Sequence, residues 1–275
     1  MFEILDRRTT LTGNQIKILA AAIIGDALEF FDYFLIGFVL AFLIGPWKLT
    51  FGQSATVLMS SGIGAIIGAY LWGWLADRVG RRIVFIGTVL NFSIATGLLY
   101  FTPDNGWVYL AILRFFVGTG VGGLYCVDLP LVQEFMPSHK RGWVGGLVTC
   151  VIPLGVGLGA VLGAIMGTDQ WRLLFAIGVL PAVLVLLVRL WVPESPRWLC
   201  RQGRYDDARK SLAWALEVPP SELPLPSAAD AGPIVKTSWF DLFKYPRSLI
   251  VSWLGNAGAQ TGVYGITLWA PALFV

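Results

Sequence analysis

Three carboxylic acids stand within one apolar run near the start of the chain, at Asp26, Glu29 and Asp32. Steps of three residues advance a helix by about 300° each, so the three share a stripe about 120° wide that runs toward the middle of the segment. An acidic residue near the centre of a membrane helix costs about 2.5–3.5 kcal/mol on an insertion scale, roughly 8–10 kcal/mol for three. Such a stripe has to face a wet cavity or polar partners. Further along, Arg114 and Asp128 supply the other charges deep in an apolar run. If all were ionised, four carboxylates would face a single guanidinium, so charge balance calls for a proton on at least one of Asp26, Glu29, Asp32 and Asp128. Loading and releasing that proton is chemistry this pattern can do; acids fixed by structural hydrogen bonds are the plainer alternative. Arg114 also has two readings, as an ion-pair partner for one of the acids (Asp32 or Asp128) or as a planar fork for a substrate carboxylate.

These side chains need long apolar helices to carry them, and the composition supplies such helices. The 275 residues are 56% hydrophobic and 13% charged, with a mean hydropathy of +0.70, against roughly 25% charged in soluble domains. Apolar runs cover Ile18–Gly45, Ala55–Ala76, Ile83–Thr102, Trp107–Met136, Trp143–Met166, Trp171–Val192 and Leu249–Val275. Each reaches the length of a spanning helix, about 20 residues. Pro103–Gly106 and Gly167–Gln170 are the clearest breakers between them. Neither glycine nor tryptophan recurs at a fixed period, which excludes fibrous and propeller architectures. The only histidine, His139, and the three cysteines lack metal-ligand spacing. No metal, cofactor or nucleic-acid partner is expected, and no cleavable signal is apparent.

Lysine and arginine fix the expected orientation. The N-terminus, Arg78–Arg82, Lys140–Arg141 and Pro193–Ser248 together hold sixteen, whereas the opposite side holds Lys48 and Arg172 only. The N-terminus is therefore expected in the cytoplasm of a multi-pass cell-membrane protein. Within Pro193–Ser248, Arg201–Glu217 has the pattern of a short amphipathic helix lying on the membrane or the bundle. Pro219, Pro220, Pro224, Pro226 and Pro233 then read as a linker. The expected domains are a six-helix bundle over 1–192, a cytoplasmic linker over 193–248, and a seventh helix over 249–275. Seven spans place Val275 on the outer side, so the expectation is a chain that lacks a second bundle needed for activity.

Several motifs sit in the turns this layout assigns to the cytoplasm. Gly73-Trp74-Leu75-Ala76-Asp77-Arg78-Val79-Gly80-Arg81-Arg82 follows the second helix; Arg114 and Gly118 lie in the fourth; Glu134, Pro137 and Arg141-Gly142 follow it; Pro193-Glu194-Ser195-Pro196-Arg197-Trp198-Leu199 follows the sixth. In order and position these resemble the signatures of the major facilitator superfamily, in its sugar-porter and metabolite:proton symporter branches. The resemblance covers essentially the whole chain. It implies an all-α membrane fold whose N-terminal six helices form two inverted three-helix repeats, followed here by the first helix of the second bundle. Ala27–Tyr33 is similar to the acidic, aromatic first helix of metabolite:proton symporters, which makes proton binding the favoured role for the acids.

The signature loop has a physical reading of its own. Gly73 permits close helix contact, Gly80 permits a tight turn, and Asp77 can accept from backbone amides or pair with Arg81 or Arg82. With Arg78, Glu134, Arg141, Glu194 and Arg197, these groups are expected to form a charge network that latches one conformational state; charges that merely set topology are the alternative. Glycines four apart, Gly64 and Gly68 in the second helix and Gly155, Gly159 and Gly163 in the fifth, read as close helix packing; in the resembling fold both helices slide against the other bundle, so the resemblance implies a rocking interface there. Gly118–Gly123 formally satisfies the dinucleotide-binding pattern but lies inside an apolar helix with no preceding strand.

Substrate is less marked. Where sugar porters of the resembling branch place a glutamine eight residues after the Arg-Gly pair, this chain has Thr149, and their paired glutamines in the seventh helix are reduced to Gln260. Gln260–Pro271, with Tyr264 and Trp269, is closer to organic-acid symporters. The expected solute site is Arg114, Tyr125, Thr149, Gln260 and Tyr264, and the expected activity is proton-coupled symport of a small organic or aromatic carboxylate by alternating access. A sugar transporter of the same superfamily and an inactive transporter fragment are the alternatives. A retinal protein would need a lysine in the last helix, which has none, and no motif marks an enzyme.

Overall fold

A computed structural model describes residues 2–167, 170–179, 192–227 and 239–273. Among the described residues the chain is helical without strands. A short helix α1 (Phe2–Asp6) precedes the long apolar helices α2 (Gly13–Trp47), α3 (Phe51–Val79), α4 (Arg81–Leu99) and α5 (Trp107–Glu134). Then come α6 (Arg141–Cys150), α7 (Ile152–Met166), a helical stretch α8 at 171–179, α9 (Pro196–Arg201), α10 (Tyr205–Leu216) and α11 (Pro246–Leu273).

Sequence explains where these helices start. Thr12 and Thr50 each form a capping box, in which the threonine oxygen accepts from the backbone of Gln15 or Gln53 and the glutamine side chain accepts in return from the threonine N–H. α2 then runs 35 residues, roughly 52 Å, well past the ~30 Å hydrocarbon core. α3 and α4 meet at Gly80, whose φ of 109° is one that glycine adopts without strain. The fifth apolar run, expected as one helix over Trp143–Met166, is broken into α6 and α7. Pro153 sits in the first turn of α7 and has no N–H to bond back into α6.

Among the described residues, five segments are long and apolar enough to cross a membrane: α2, α3, α4, α5 and Ser138–Met166. α11 is 28 residues long but carries Asn256 and Gln260, and most of it is exposed. It meets the bundle through Tyr264, which stacks on Phe34 at 5.5 Å, and Trp269, which stacks on Phe51 at 5.0 Å. Most of the sixth expected span, 180–191, lies outside the described residues.

The glycines do pack helix on helix, and their partners lie within the bundle. Gly64 and Gly68 face the main chain of α5 at Phe115 and Thr119, while Gly118 and Gly122 face the main chain of α3 at Ser61 and Ala65. A methyl group at any of the four would overlap the opposing backbone, so the two helices touch spine to spine. Gly155 likewise packs on the backbone of Ala27, and Gly159 and Gly163 on Phe38. Both glycine faces are therefore used inside the bundle, α3 on α5 and α7 on α2.

The expected amphipathic helix Arg201–Glu217 divides at Gly203 (φ 72°) into α9 and α10. This segment does more than link. Phe2 and Leu5 of α1 are buried with Leu199, Leu212 and Leu216. The start of α2 is tied to the end of α10: Thr12 Oγ1 donates to the Ala215 carbonyl (2.5 Å), Asn14 Nδ2 to the Trp214 carbonyl (2.7 Å), and Asn14 N–H to Glu217 Oε1 (2.9 Å). Of the five prolines read as a linker, Pro219, Pro220, Pro224 and Pro226 are described, with a single helical turn at Pro220–Glu222, and Pro233 lies outside the described residues.

Candidate functional site

The acidic stripe of α2 splits into two centres. Asp26 and Glu29 gather with Asp128 of α5 around two small cavities. One, of about 10 Å³, is walled by Phe85, Val89, Phe92 and Leu124. The other, of about 50 Å³, reaches Tyr125 of α5 and Thr149 of α6. Glu29 and Asp128 are buried and Asp26 partly so. Among the described residues, no lysine or arginine lines either cavity. The break before Pro153 leaves Thr149 in the last turn of α6, beside the acids; its hydroxyl donates only to its own helix, at Gly145 and Gly146. Tyr125 reaches across to Tyr264, hydroxyl to hydroxyl at 3.3 Å, and its ring meets Phe30 edge-on at 5.8 Å.

Two turns of α2 separate Asp26 from Asp32, whose surroundings differ. Asp32 Oδ2 accepts from Thr96 of α4 at 2.7 Å, and Oδ1 has no hydrogen-bond partner among the described residues. Arg114 is fully buried beside it. Its Nε donates to Ser61 Oγ (3.1 Å), and its terminal nitrogens donate to the carbonyls of Asp32 (3.2 Å) and Tyr33 (2.7 Å). The expectation of a fork open to a substrate carboxylate is corrected here: all three nitrogens are occupied by the protein, and the guanidinium clamps α2 to α3 and α5. Nor does Arg114 pair with Asp128, which is fourteen residues on along the same helix, about 21 Å away. Gln260 is exposed on α11, and the structure does not bring it to the acids.

The motif residues meet at the end of the bundle that carries the N-terminus. Arg81 pairs with Glu134 at 3.1 Å, and Glu134 also accepts from the Ser195 hydroxyl. Asp77 was expected to accept from the turn amides, but Glu194 does so instead, taking the N–H groups of Arg81 (3.1 Å), Arg82 (3.1 Å) and Ser195 (2.9 Å). A carboxylate at the start of α4 complements its dipole. Burial pushes the Glu194 carboxyl above its usual range, against the pull of these donors and Arg82. Asp77 itself is exposed and enters the contact through its carbonyl, which accepts from Trp198 Nε1 at 3.1 Å. Arg78 lies over the Trp74 ring at 3.9 Å, Gly73 lies against Cys126, and Arg141 Nε donates to the carbonyls of Gln133 and Met136 at the end of α5. Arg197 stacks on Phe2 at 4.5 Å. Sequence reasoning missed Ser61, Thr96 and Ser195; hydroxyls in apolar or motif segments were the available signal.

A model of the sugar (and other) transporter family matches residues 17–274. The chain belongs to this family, within the major facilitator superfamily. It is a membrane protein of a transporter family and not an enzyme. It is 33% identical to the niacin transporter NiaP of Acinetobacter baylyi over 92% of this chain and 58% of that protein. With the arabinose-proton symporter of Bacillus subtilis it shares 30% identity over 74% of this chain and 46% of that one. A solved structure of the xylose transporter XylE from E. coli, in a partially occluded inward-open conformation, superposes with a TM-score of 0.72. That match has 25% identity and covers 94% of this chain and 65% of XylE. The chain thus spans about half to two thirds of the length of these family members.

Proposed function

We propose that the chain forms the proton-coupling part of a secondary transporter that takes up a small organic carboxylate with a proton, by alternating access. The observation that carries this reading is the convergence of Asp26, Glu29 and Asp128 on two small cavities. A solute carboxylate arriving beside a protonated carboxyl shares that proton, so proton and solute favour each other's binding. Tyr125 and Tyr264 supply hydroxyl donors and Thr149 a hydroxyl oxygen that can accept, with Gln260 on the exposed side of α11, and Tyr264 stacked on Phe34 offers a flat face to an aromatic solute. Arg114 and Asp32 hold the scaffold together behind this site. Similarity to a niacin transporter supports a carboxylate. Similarity to arabinose and xylose transporters supports a sugar as the second reading.

In this proposal residues 1–192 are the first bundle, 193–248 a cytoplasmic layer and 249–275 the first helix of a second bundle. The network of Arg81, Glu134, Glu194 and Ser195 latches the cytoplasmic end in one state. Cysteine labelling tests the orientation: positions 138 and 204 should react from the cytoplasm and position 105 from outside. Uptake tests the solute. In vesicles from cells expressing the transporter, an inward proton gradient should drive accumulation of an aromatic carboxylate and leave its amide analogue behind. Equal uptake of both, or preference for a pentose, would replace the carboxylate reading.

A further inference from the structure

A second concavity, far from the acids, opens where the spanning helices end. It is a groove of about 430 Å³ between the α3–α4 turn and the α9–α10 layer. One wall belongs to the membrane: Val79 and Ile83, at the ends of α3 and α4, are 38% and 60% exposed. The facing wall is α10, which presents Arg204 and Lys210, and Arg82 of α4 lies between the two walls. Trp198 and Trp214, both half-buried, complete it.

Charge and aromatic content favour an anion with an apolar body. Three cations line the groove against two carboxylates, and both carboxylates are engaged: Asp207 pairs with Arg204 at 2.7 Å, and Glu194 accepts from the backbone of Arg81 and Arg82. Lys210 is exposed and has no ion-pair partner among the described residues. Tryptophans beside basic residues mark the headgroup level of a bilayer, and Trp74, 45% exposed under Arg78, lies at the same end of α3. Basic pockets between membrane helices bind anionic headgroups.

We propose that this groove binds the headgroup of an anionic phospholipid drawn from the surrounding leaflet. Its phosphate lies among Arg82, Arg204 and Lys210, and its acyl chains descend along Val79 and Ile83. A soluble phosphate would gain the cations but leave the apolar wall uncovered. The occupied groove ties α10 to α4, and so bears on the layer that holds Glu194 and Ser195.

Native mass spectrometry of the purified chain, released from micelles doped with phosphatidylglycerol or phosphatidylcholine, tests the site. Each cation near an anionic surface contributes about fivefold in affinity. Phosphatidylglycerol should therefore be retained over phosphatidylcholine, Lys210→Gln should weaken its retention about fivefold, and Arg204→Gln/Lys210→Gln should weaken it further. Lys210 is exposed, so its single variant keeps the fold. The control is Arg7→Gln/Arg8→Gln, which removes two charges from the same end outside the groove and should leave retention unchanged. Equal retention of the two lipids, equal losses in groove and control variants, or displacement of phosphatidylglycerol by inorganic phosphate that binds as well would each overturn the proposal.

Discussion

Two polar centres lie on the same pair of helices, yet their surroundings are opposite. At Asp32 and Arg114, three guanidinium nitrogens end on Ser61 and two main-chain carbonyls, Thr96 donates to one carboxylate oxygen, and no cavity opens beside them among the described residues, although Asp32 Oδ1 has no hydrogen-bond partner there. At Asp26, Glu29 and Asp128, carboxyls border two small cavities, and the Thr149 hydroxyl that lines the larger one donates within its own helix. A buried charge whose hydrogen bonds all end on the protein is a fastening. Removing it leaves unsatisfied groups, whereas acids around a cavity can exchange partners during a cycle. Type and depth alone do not separate the two cases; the partners do.

Breaking the closed centre should have the largest effect. Arg114→Ala strands the Asp32 carboxylate in a dry interior and removes three hydrogen bonds at once. Loss of one member of such a buried set costs about 3–5 kcal/mol, read as a lowered unfolding temperature in detergent with little protein recovered. Arg114→Lys keeps the charge but reaches fewer acceptors, and should fall between alanine and the parent. If Arg114→Ala unfolds like the parent yet loses only carboxylate binding, the fork belongs to the solute site and the contrast between the centres collapses.

The open centre should respond the other way. Glu29→Gln preserves shape but cannot carry a proton. It should reduce uptake driven by a pH gradient by at least about a hundredfold, comparable to the lower end of general acid–base contributions, while solute exchange and thermal stability stay near the parent. Unchanged accumulation in Glu29→Gln and Asp128→Asn would make the acids structural and leave the molecule with two fastenings.

Much of this was legible in the sequence, for identifiable reasons. Helical periodicity placed Asp26, Glu29 and Asp32 on one stripe, and the turn at Gly80 followed from its residue type. Long-range pairing was not legible. Nothing local says that Glu194, more than a hundred residues away, would take the amides expected for Asp77, because that depends on where the α9 layer docks. Small-residue spacing identified close-packing faces but not their partners, so the contact of Gly64 and Gly68 with α5 was not legible from it. Pro153 was visible in the fifth run, and the break it causes follows from its missing N–H; an apolar run read by hydropathy alone passes straight over it.

A matched pair of threonines gives the finest test of the contrast. Thr96 donates to Asp32 across helices and is completely buried; Thr149 borders the larger cavity, is exposed, and donates only within α6. Valine replaces either side chain with nearly the same shape and removes one hydroxyl. In Thr96→Val the buried Asp32 Oδ2 loses its donor. An acceptor left without a partner costs about 1–3 kcal/mol, so the unfolding temperature should fall while solute affinity holds. In Thr149→Val the lost bonds went to carbonyls already used by the helix, so stability should change by less than about 0.5 kcal/mol. Its solute affinity should drop by about fivefold, the value of one hydrogen bond. The crossed pattern, one variant losing stability and the other affinity, is what two different centres require. If both variants lose stability and keep affinity, the cavity at Thr149 is a packing defect and the solute binds elsewhere.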